Sequence, residues 1–389
     1  MSAQTVVHGM DGSLEASDWP GLTLEELEPV LASYPAAGRP RRILTVSPRP
    51  FSAASIVETS LRQVFVKRHH GALRTLDGLR EEHRFLAHLR AHGASVPRVY
   101  ATASEDSAVA LDGWTYEVHS VPAGVDLYRE AISWTPFYTA RHAHAAGRML
   151  AQLHLAAEGF EAPARAVQPL VSSLTIFTDA DPEAALQHYL NERAPLREHA
   201  RLCERAQHAL AMLAPFHAEL QPWLAHLKPL WTHNDLHPSN LLWSDASADA
   251  HAVTALDFGL ADRTFAVWDL AQAIERSLID WLAIVAPDAP LSAASVQWDQ
   301  LAALLAGYES VRPLSHAEAH ALAPSVALCH YEFALTEADY FLGVVGSEAK
   351  AVYAYDSYLV GHARWFCQAG APLLQALRAR TIGNRSAPR

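Results

Sequence analysis

The chain has 389 residues, half of them apolar and 19% charged, a soluble globular mixture long enough for two lobes around separate cores. Its formal net charge is −12, with no long Lys/Arg block. That argues against nucleic acid or an anionic membrane as a principal partner, while leaving room for a local basic pocket that holds phosphates. No apolar run approaches the ~18 residues of a membrane span. The opening MSAQTVVHGMDGS has neither the basic nor the apolar region of a signal peptide. Cys203, Cys329 and Cys367 are odd in number and widely spaced, which reads as buried thiols in a reducing compartment. A cytoplasmic protein is expected.

Residues 1–20 are small, polar and expected to be loose. Leu22–Tyr34 reads as a helix with a Thr23–Glu26 capping box, and Pro35–Arg41 as a linker. The pattern then turns to strands at Ile43–Val46, Ser55–Glu58 and Gln63–Arg68. In the third, Phe65 and Lys67 share one face and Val64 and Val66 the other. Taken alone, Lys67 reads as a solvated lysine at a strand end. Leu76–His92 follows as a helix whose inward stripe, Leu79, Leu86 and Leu89, includes Glu82 at the same spacing. A carboxylate on an apolar stripe needs a partner, and Lys67 is the obvious one; a rim glutamate in a solvated pattern is the alternative. Trp114–Val121 is an apolar-rich strand running into Pro122-Ala123-Gly124. Beyond it the chain turns helical. His142–Ala157 buries Ala146, Leu150, Leu153 and Ala157, and its His142, His144 and His154 fit no common ligand spacing, so they read as surface or capping histidines. The aromatic-rich helices around Tyr331, Phe333, Tyr340 and Phe341 read as core packing rather than an aromatic cage.

The stretch 231–263 carries the chemistry. Two short apolar runs, Leu241–Trp243 and Val253–Leu256, flank a loop rich in Asp, Ser and Ala, as in a β-hairpin. Antiparallel pairing places the start of the first beside the end of the second. Asp235, Asn240 and Asp257 then converge, two carboxylates and an amide oxygen that suit a hard cation beside a potential base.

His233-Asn234-Asp235 with Asn240 five residues after the aspartate, followed by Asp257-Phe258-Gly259, resembles the catalytic loop and metal-binding DFG of the protein-kinase-like fold. The form HNDLHPSNLLW followed by a strand and DFG is most similar to the aminoglycoside phosphotransferase, choline kinase and type II homoserine kinase branch. The resemblance runs from about Arg42 onward. It implies an α+β, protein-kinase-like two-lobed fold, with a small antiparallel-sheet lobe over residues 21–121 and a mostly helical lobe over 122–389. It also implies transfer of the γ-phosphate of ATP, with Mg²⁺, to the hydroxyl of a small molecule. By the same resemblance, Asp235 is the catalytic base, Asn240 and Asp257 hold the metal, Lys67 pairs with the α/β-phosphates, and Glu82 orients Lys67. Glu117–His119 belong to the hinge that bonds adenine through backbone groups, and Asp269 braces the catalytic loop; on its residues alone Asp269 reads as an N-cap. One departure is the first hairpin turn, Pro50 to Ser55, which holds no glycine and leaves phosphate contacts to Ser52 and Ser55.

The acceptor expected first is homoserine or another small amino alcohol, since 142–160 and 307–314 resemble stretches of type II homoserine kinases. Aminoglycosides, choline-type alcohols and protein serine stay open, the last making a serine/threonine kinase of the same fold. Two further readings come from other classes. His233, Asp235 and His237 are candidate ligands of a metal-dependent hydrolase with Asp257 as a fourth, and the glycine-poor turn fits a catalytically silent nucleotide-binding module.

Overall fold

The computed structural model describes residues 6–9, 11–166, 168–171, 174–283 and 295–383. The chain opens on a short hairpin, β1 (Val6–His8) and β2 (Leu14–Ala16), followed by helix α1 (Leu24–Ala32). Thr23 caps α1 as expected, its Oγ1 accepting from Glu26 N at 3.2 Å. The reciprocal half of the box is not made. The Glu26 carboxylate instead accepts from Arg68 at 2.6 Å and from the Tyr116 hydroxyl at 2.7 Å, which fastens the helix to the sheet behind it.

That sheet has five antiparallel strands in the order β3-β4-β5-β7-β6: β3 (Pro40–Val46), β4 (Ala53–Thr59), β5 (Gln63–His70), β6 (Ala108–Leu111) and β7 (Trp114–Ser120). The three predicted early strands are all present and each is longer than its apolar run. Strand β6 escaped the sequence reading, although its signal was there. Asp112-Gly113 joins two apolar runs, and both residues have positive φ (52° and 81°), as a tight primed hairpin turn requires. Alternation then sorts the faces. Val57, Val64, Val66, Tyr116 and Val118 pack on Leu27, Val30 and Leu31 of α1, each buried aliphatic side chain being worth roughly 1.5–3 kcal/mol. The other face receives α2 (Leu76–Ala91), which buries Leu79, Glu82, Leu86 and Leu89 as its stripe foretold.

The rest is mainly helical: α3 (Ala140–Ala157), α4 (Pro182–Asn191), α5 (Ala194–Arg197), α6 (Ala200–Leu224), α7 (Ala266–Leu278), α8 (Trp298–Glu309), α9 (His316–Leu328), α10 (His330–Tyr340), α11 (Glu348–Tyr353), α12 (Gly361–Gln368) and α13 (Ala371–Gly383). Two π-helical stretches lie between them, Phe341–Val345 after α10 and Ala354–Val360 between α11 and α12. The architecture is the two-lobed α+β one expected. Among the described residues no helix is long and apolar enough to cross a membrane.

Gly124 and the segment around Trp19 supply two of the connections between the sheet and the helices, beside those made by Arg49, Arg74 and Arg129. Gly124 follows β7 with φ +122°, and a β-carbon there would lie 2.7 Å from Leu242 and Val253 side-chain atoms, so the position is closed to other residues. Val125 then exchanges backbone hydrogen bonds with Trp243 at 2.7 and 3.0 Å. The second connection involves Glu15, Asp18 and Trp19, in the stretch 1–20 expected to be loose, of which residues 1–5 and 10 lie outside the described residues. Lys350 Nζ pairs with Glu15 at 3.0 Å and Asp18 at 2.8 Å, and Trp19 donates to the Tyr340 hydroxyl at 2.9 Å while stacking on His70 of β5. An aromatic ring and an ion pair hold this segment, where composition alone signalled a polar tail. Cys203 is half-buried and Cys367 exposed, leaving only Cys329 as the buried thiol expected of all three.

Helices α3 and α8 approach so closely that Gly147 and Gly307 meet the partner backbone. A β-carbon at either would collide with the carbonyl oxygen of Leu304 or His144. Gly307→Ala should therefore cost on the order of 3 kcal/mol, read as a lowered urea midpoint; an unchanged midpoint would show that this crossing yields.

Candidate active site

Four short strands build the site. β9 (Leu241–Trp243) pairs with β10 (Ala252–Ala255), and outside them β8 (Pro229–Thr232) pairs with β11 (Asp262–Phe265), all antiparallel. The predicted hairpin is present, its second strand starting and ending one residue earlier than read. Nesting one pair inside the other brings loop 233–240 against loop 256–261. Leu256 N donates to Asn240 O at 2.8 Å, and Asn240 Nδ2 donates to Asp235 O at 2.8 Å and Oδ2 at 3.1 Å. Lys67 Nζ reaches across from β5 to Asp257 Oδ1 at 2.9 Å. The structure thus brings Asp235, Asn240, Asp257 and Lys67 together.

Helix α7 holds this loop from behind. Asp269, fully buried, accepts from His233 N at 2.9 Å and Asn234 N at 2.8 Å. It braces the loop and is not an N-cap, since α7 begins at Ala266 with Phe265 in that place. Two turns later on the same face, Arg276 donates to Asn234 O and, at 2.5 Å, to Asp235 Oδ1. Nothing local in the sequence marked Arg276. Asn234 and Asp257 sit at φ 60° and 56°, a left-handed conformation that Asn and Asp tolerate better than most residues. His154 corrects the surface reading of the α3 histidines. It is buried, 3.0 Å from Asp269 Oδ2 through Nε2 and 2.7 Å from the Tyr308 hydroxyl through Nδ1. His142 is also buried, against Tyr128 and Ser247 O.

Other expectations are revised. Among the described residues the Lys67 ion pair is with Asp257 and not with Glu82, although Glu82 is buried on α2 and lines the same cavity. Glu117 and His119 lie inside β7, opposite Lys67 and Phe65, so the ladder with β5 occupies their backbone and they are not the hinge. The ladder ends past Ser120, where Val121, Pro122 and Gly124 border the cavity while Ala123 O accepts from the Thr254 hydroxyl at 3.1 Å. Ser52 and Ser55 both border the cavity under the first hairpin, and among the described residues the buried Ser55 hydroxyl has no partner. The hydrolase ligand set is not assembled. His233 Nε2 is 2.8 Å from Leu256 O, and its Nδ1 accepts from Asp235 N at 3.1 Å, so both ring nitrogens are taken.

The electrostatics favour a charged site. Burial disfavours ionised Lys67, but Asp257, Glu117 and Glu82 outweigh it and raise its pKa. Burial would raise Asp235, yet Arg276, His237 and His233 hold it well below the usual carboxylate range. Asp257 is held down by Lys67 against its own burial. Two cavities meet here. One lies under the sheet, bordered by Ser55, Glu117, Val121, Pro122 and Gly124. The other lies among the helices, bordered by Trp134, Asp235, Phe333, Glu337 and Tyr358. Arg49, Ser52, Lys67, Asn240 and Asp257 border both. Arg49 immediately precedes the glycine-free turn and is anchored on Ala131 O at 3.0 Å and Tyr128 O at 3.2 Å. Phe333, read as core, is a cavity wall. The homoserine-kinase-like stretches 142–160 and 307–314 border neither cavity and instead support the loop through His154 and Tyr308.

A family model described as "Phosphotransferase enzyme family" matches residues 51–314. A search of curated protein sequences finds no match. Among solved structures, a microcompartment-associated aminopropanol kinase is 18% identical over 92% of this chain and 100% of its own, with a TM-score of 0.57. An aminoglycoside phosphotransferase from Alicyclobacillus acidocaldarius subsp. acidocaldarius DSM 446 is 17% identical over 94% and 98%, with a TM-score of 0.52. Amicoumacin kinase hAmiN, solved with AMP-PNP, Ca²⁺ and Ami, is 13% identical over 84% and 87%, with a TM-score of 0.54. At these identities the likeness is one of fold.

Glu337 gives the helical cavity a pH signature. Burial pushes its carboxyl up to about 8, against the opposing pull of Arg276. Unfolded, the group ionises near 4.5, so between these values the folded state binds more protons and stability falls as pH rises. Glu337→Gln removes this dependence. Wild type should therefore lose on the order of 2–4 kcal/mol relative to the variant between about pH 5 and pH 8. Urea melts across that range check it, and a difference that stays flat would refute it.

Proposed function

The chain belongs to the phosphotransferase enzyme family, and on that premise we propose that it moves the γ-phosphate of ATP to a hydroxyl of a small amino alcohol. The observation that carries this reading is the junction of two cavities at Arg49, Ser52, Lys67, Asn240 and Asp257, with Asp235 on the helical side alone. Phosphoryl transfer asks for alignment and neutralised charge more than covalent help. The cavity under the sheet takes the nucleotide, with the backbone of Val121, Pro122 and Gly124 beside the base. Lys67 and Arg49 steady the phosphates, and the hydroxyls of Ser52 and Ser55 replace the missing glycine contacts.

Mg²⁺ fits the remaining donors. Asn240 uses Nδ2 on Asp235 and keeps Oδ1, while Asp257 gives Oδ1 to Lys67 and keeps Oδ2, a hard-oxygen pair of the kind this ion takes beside phosphates and water. When bound, the ion neutralises phosphate charge at the point of transfer. Asp235, kept ionised by Arg276, accepts the hydrogen bond of the incoming hydroxyl and aims its oxygen at the γ-phosphate. Its depressed basicity suits a late proton transfer, after the new P–O bond has begun to form.

The acceptor class follows from the helical cavity. Trp134, Phe333 and Tyr358 supply aromatic walls, and among the described residues the buried Glu337 Oε2 has no hydrogen-bond partner. An ammonium group satisfies both, by displacing the proton that burial keeps on Glu337 and pairing with the carboxylate so formed, and by contact with the ring faces. A homoserine-like or other small amino alcohol, or the amino sugar of an aminoglycoside, presents that group beside a hydroxyl. The aminopropanol kinase and aminoglycoside phosphotransferase among the similar folds agree with this class.

Mg²⁺-dependent ADP release measured over a panel of homoserine, aminopropanol, ethanolamine, choline, aminoglycosides and a generic protein tests the proposal. Acceptor-stimulated turnover is expected with an amino alcohol. Asp235→Asn should lower kcat by roughly 10²–10⁴-fold with ATP affinity nearly intact, and a fully active variant would remove Asp235 from its role. Glu337→Gln should raise KM for the amine-bearing acceptor by about 10-fold or more. ATP binding without turnover on any acceptor would favour the silent module, and turnover on the protein alone would favour a protein kinase.

A further inference from the structure

On the face of β5 and β7 that meets α2, imidazoles close around one carboxylate. Strand alternation puts His69 beside Lys67 on β5, and Glu117 and His119 on β7, all on this face. His83 comes down from α2, next to Glu82. His83 Nε2 is 2.7 Å and His119 Nε2 2.9 Å from Glu117 Oε2, while His69 Nε2 is 3.0 Å from the other oxygen, Oε1. All four side chains are buried. Among the described residues His83 Nδ1 has no hydrogen-bond partner, and His119 Nε2 has none beyond its close approach to Oε2. Buried imidazole nitrogens are seldom left so.

We propose that His83, Glu117 and His119 form a binding site for a divalent transition ion of the zinc class. One donor atom from each lies within 4.8 Å of the other two, and among the described residues no other group of His, Cys, Asp or Glu converges in this way. Two neutral imidazoles and one carboxylate, with a position left open, are a set that zinc accepts, whereas Mg²⁺ prefers oxygen throughout. Bonds of about 2.0–2.2 Å in a tetrahedron place the donor atoms roughly 3.3 Å apart. The present gaps of 2.7 and 2.9 Å therefore need widen by only about half an ångström. His69 on Oε1 fixes the carboxylate from outside, as a supporting hydrogen bond does in metal sites. Glu117 and His119 border the nucleotide-side cavity, which supplies a path for entry and a water for the fourth position. The ion would pin α2 to β7 directly across the ladder from Lys67, independently of which acceptor the enzyme uses.

The test is a Co²⁺ and Zn²⁺ titration of the full chain, stripped with a chelator and held in excess Mg²⁺ to keep the hard-oxygen donors at Asn240 and Asp257 occupied. One equivalent of Co²⁺ should give the intense visible bands of four-coordinate cobalt, and Zn²⁺ should displace it. With 22 histidines in the chain, surface binding is controlled by the double variant His92→Ala, His320→Ala, which should keep the bands. His119→Gln should abolish them and weaken Zn²⁺ by roughly 100-fold or more. If that variant does not fold, His83→Gln is read in the same way. Weak six-coordinate bands in wild type, bands lost in the surface variant, or bands unchanged in either cluster variant would overturn the site.

Discussion

The buried carboxylate of Asp269 is the point on which the site depends. A charge with no exposed surface persists only if its oxygens are met, and here the donors are His233 N, Asn234 N and the His154 ring. Those two peptide N–H groups belong to a turn in which Asn234 already stands at positive φ. Without Asp269 they would be orphaned beneath the catalytic loop. The same helix adds Arg276, so one rigid element grips the loop by its N–H groups at one end and by Asn234 O and Asp235 at the other. Asp235 owes both its place and its ionisation to this arrangement.

From Asp269 the polar chain runs on through His154 to the Tyr308 hydroxyl. That hydroxyl accepts from Arg312 at 3.0 Å, and Arg312 pairs with Glu318 at 2.7 Å. The route passes where α3 and α8 are held together by Gly147 and Gly307. Small residues at the crossing and a hydrogen-bonded histidine beside it serve one end, a backing to the loop that does not shift. This explains why the stretches resembling homoserine kinases carry such residues although neither touches the acceptor cavity.

Much of this was legible because it is local. The hairpin that gathers Asp235, Asn240 and Asp257 follows from two short apolar runs and the loop between them. The burial of Glu82 follows from the spacing of Leu79, Leu86 and Leu89. What failed to show depends on contacts between distant segments. Lys67 takes Asp257 rather than Glu82 because the reach from β5 is set by how α2 and the catalytic hairpin sit against the sheet, which no periodicity encodes. Composition made His142 and His154 look like surface residues; their partners Tyr128, Ser247, Asp269 and Tyr308 lie on other elements. Arg276 and Glu337 are equally silent, since each is one of several polar residues on its helix and its purpose appears only once the cavity is closed around it. Strand β6 is a different case, since its Asp-Gly turn could have been read.

The Lys67–Asp257 pair joins the sheet to the catalytic hairpin, and both of its members border the two cavities. A phosphate that approaches Lys67 and a cation that approaches Asp257 each compete with a bond the protein already makes to itself. Occupation of one therefore frees the other, and the two halves of the site are filled together more readily than either is filled alone.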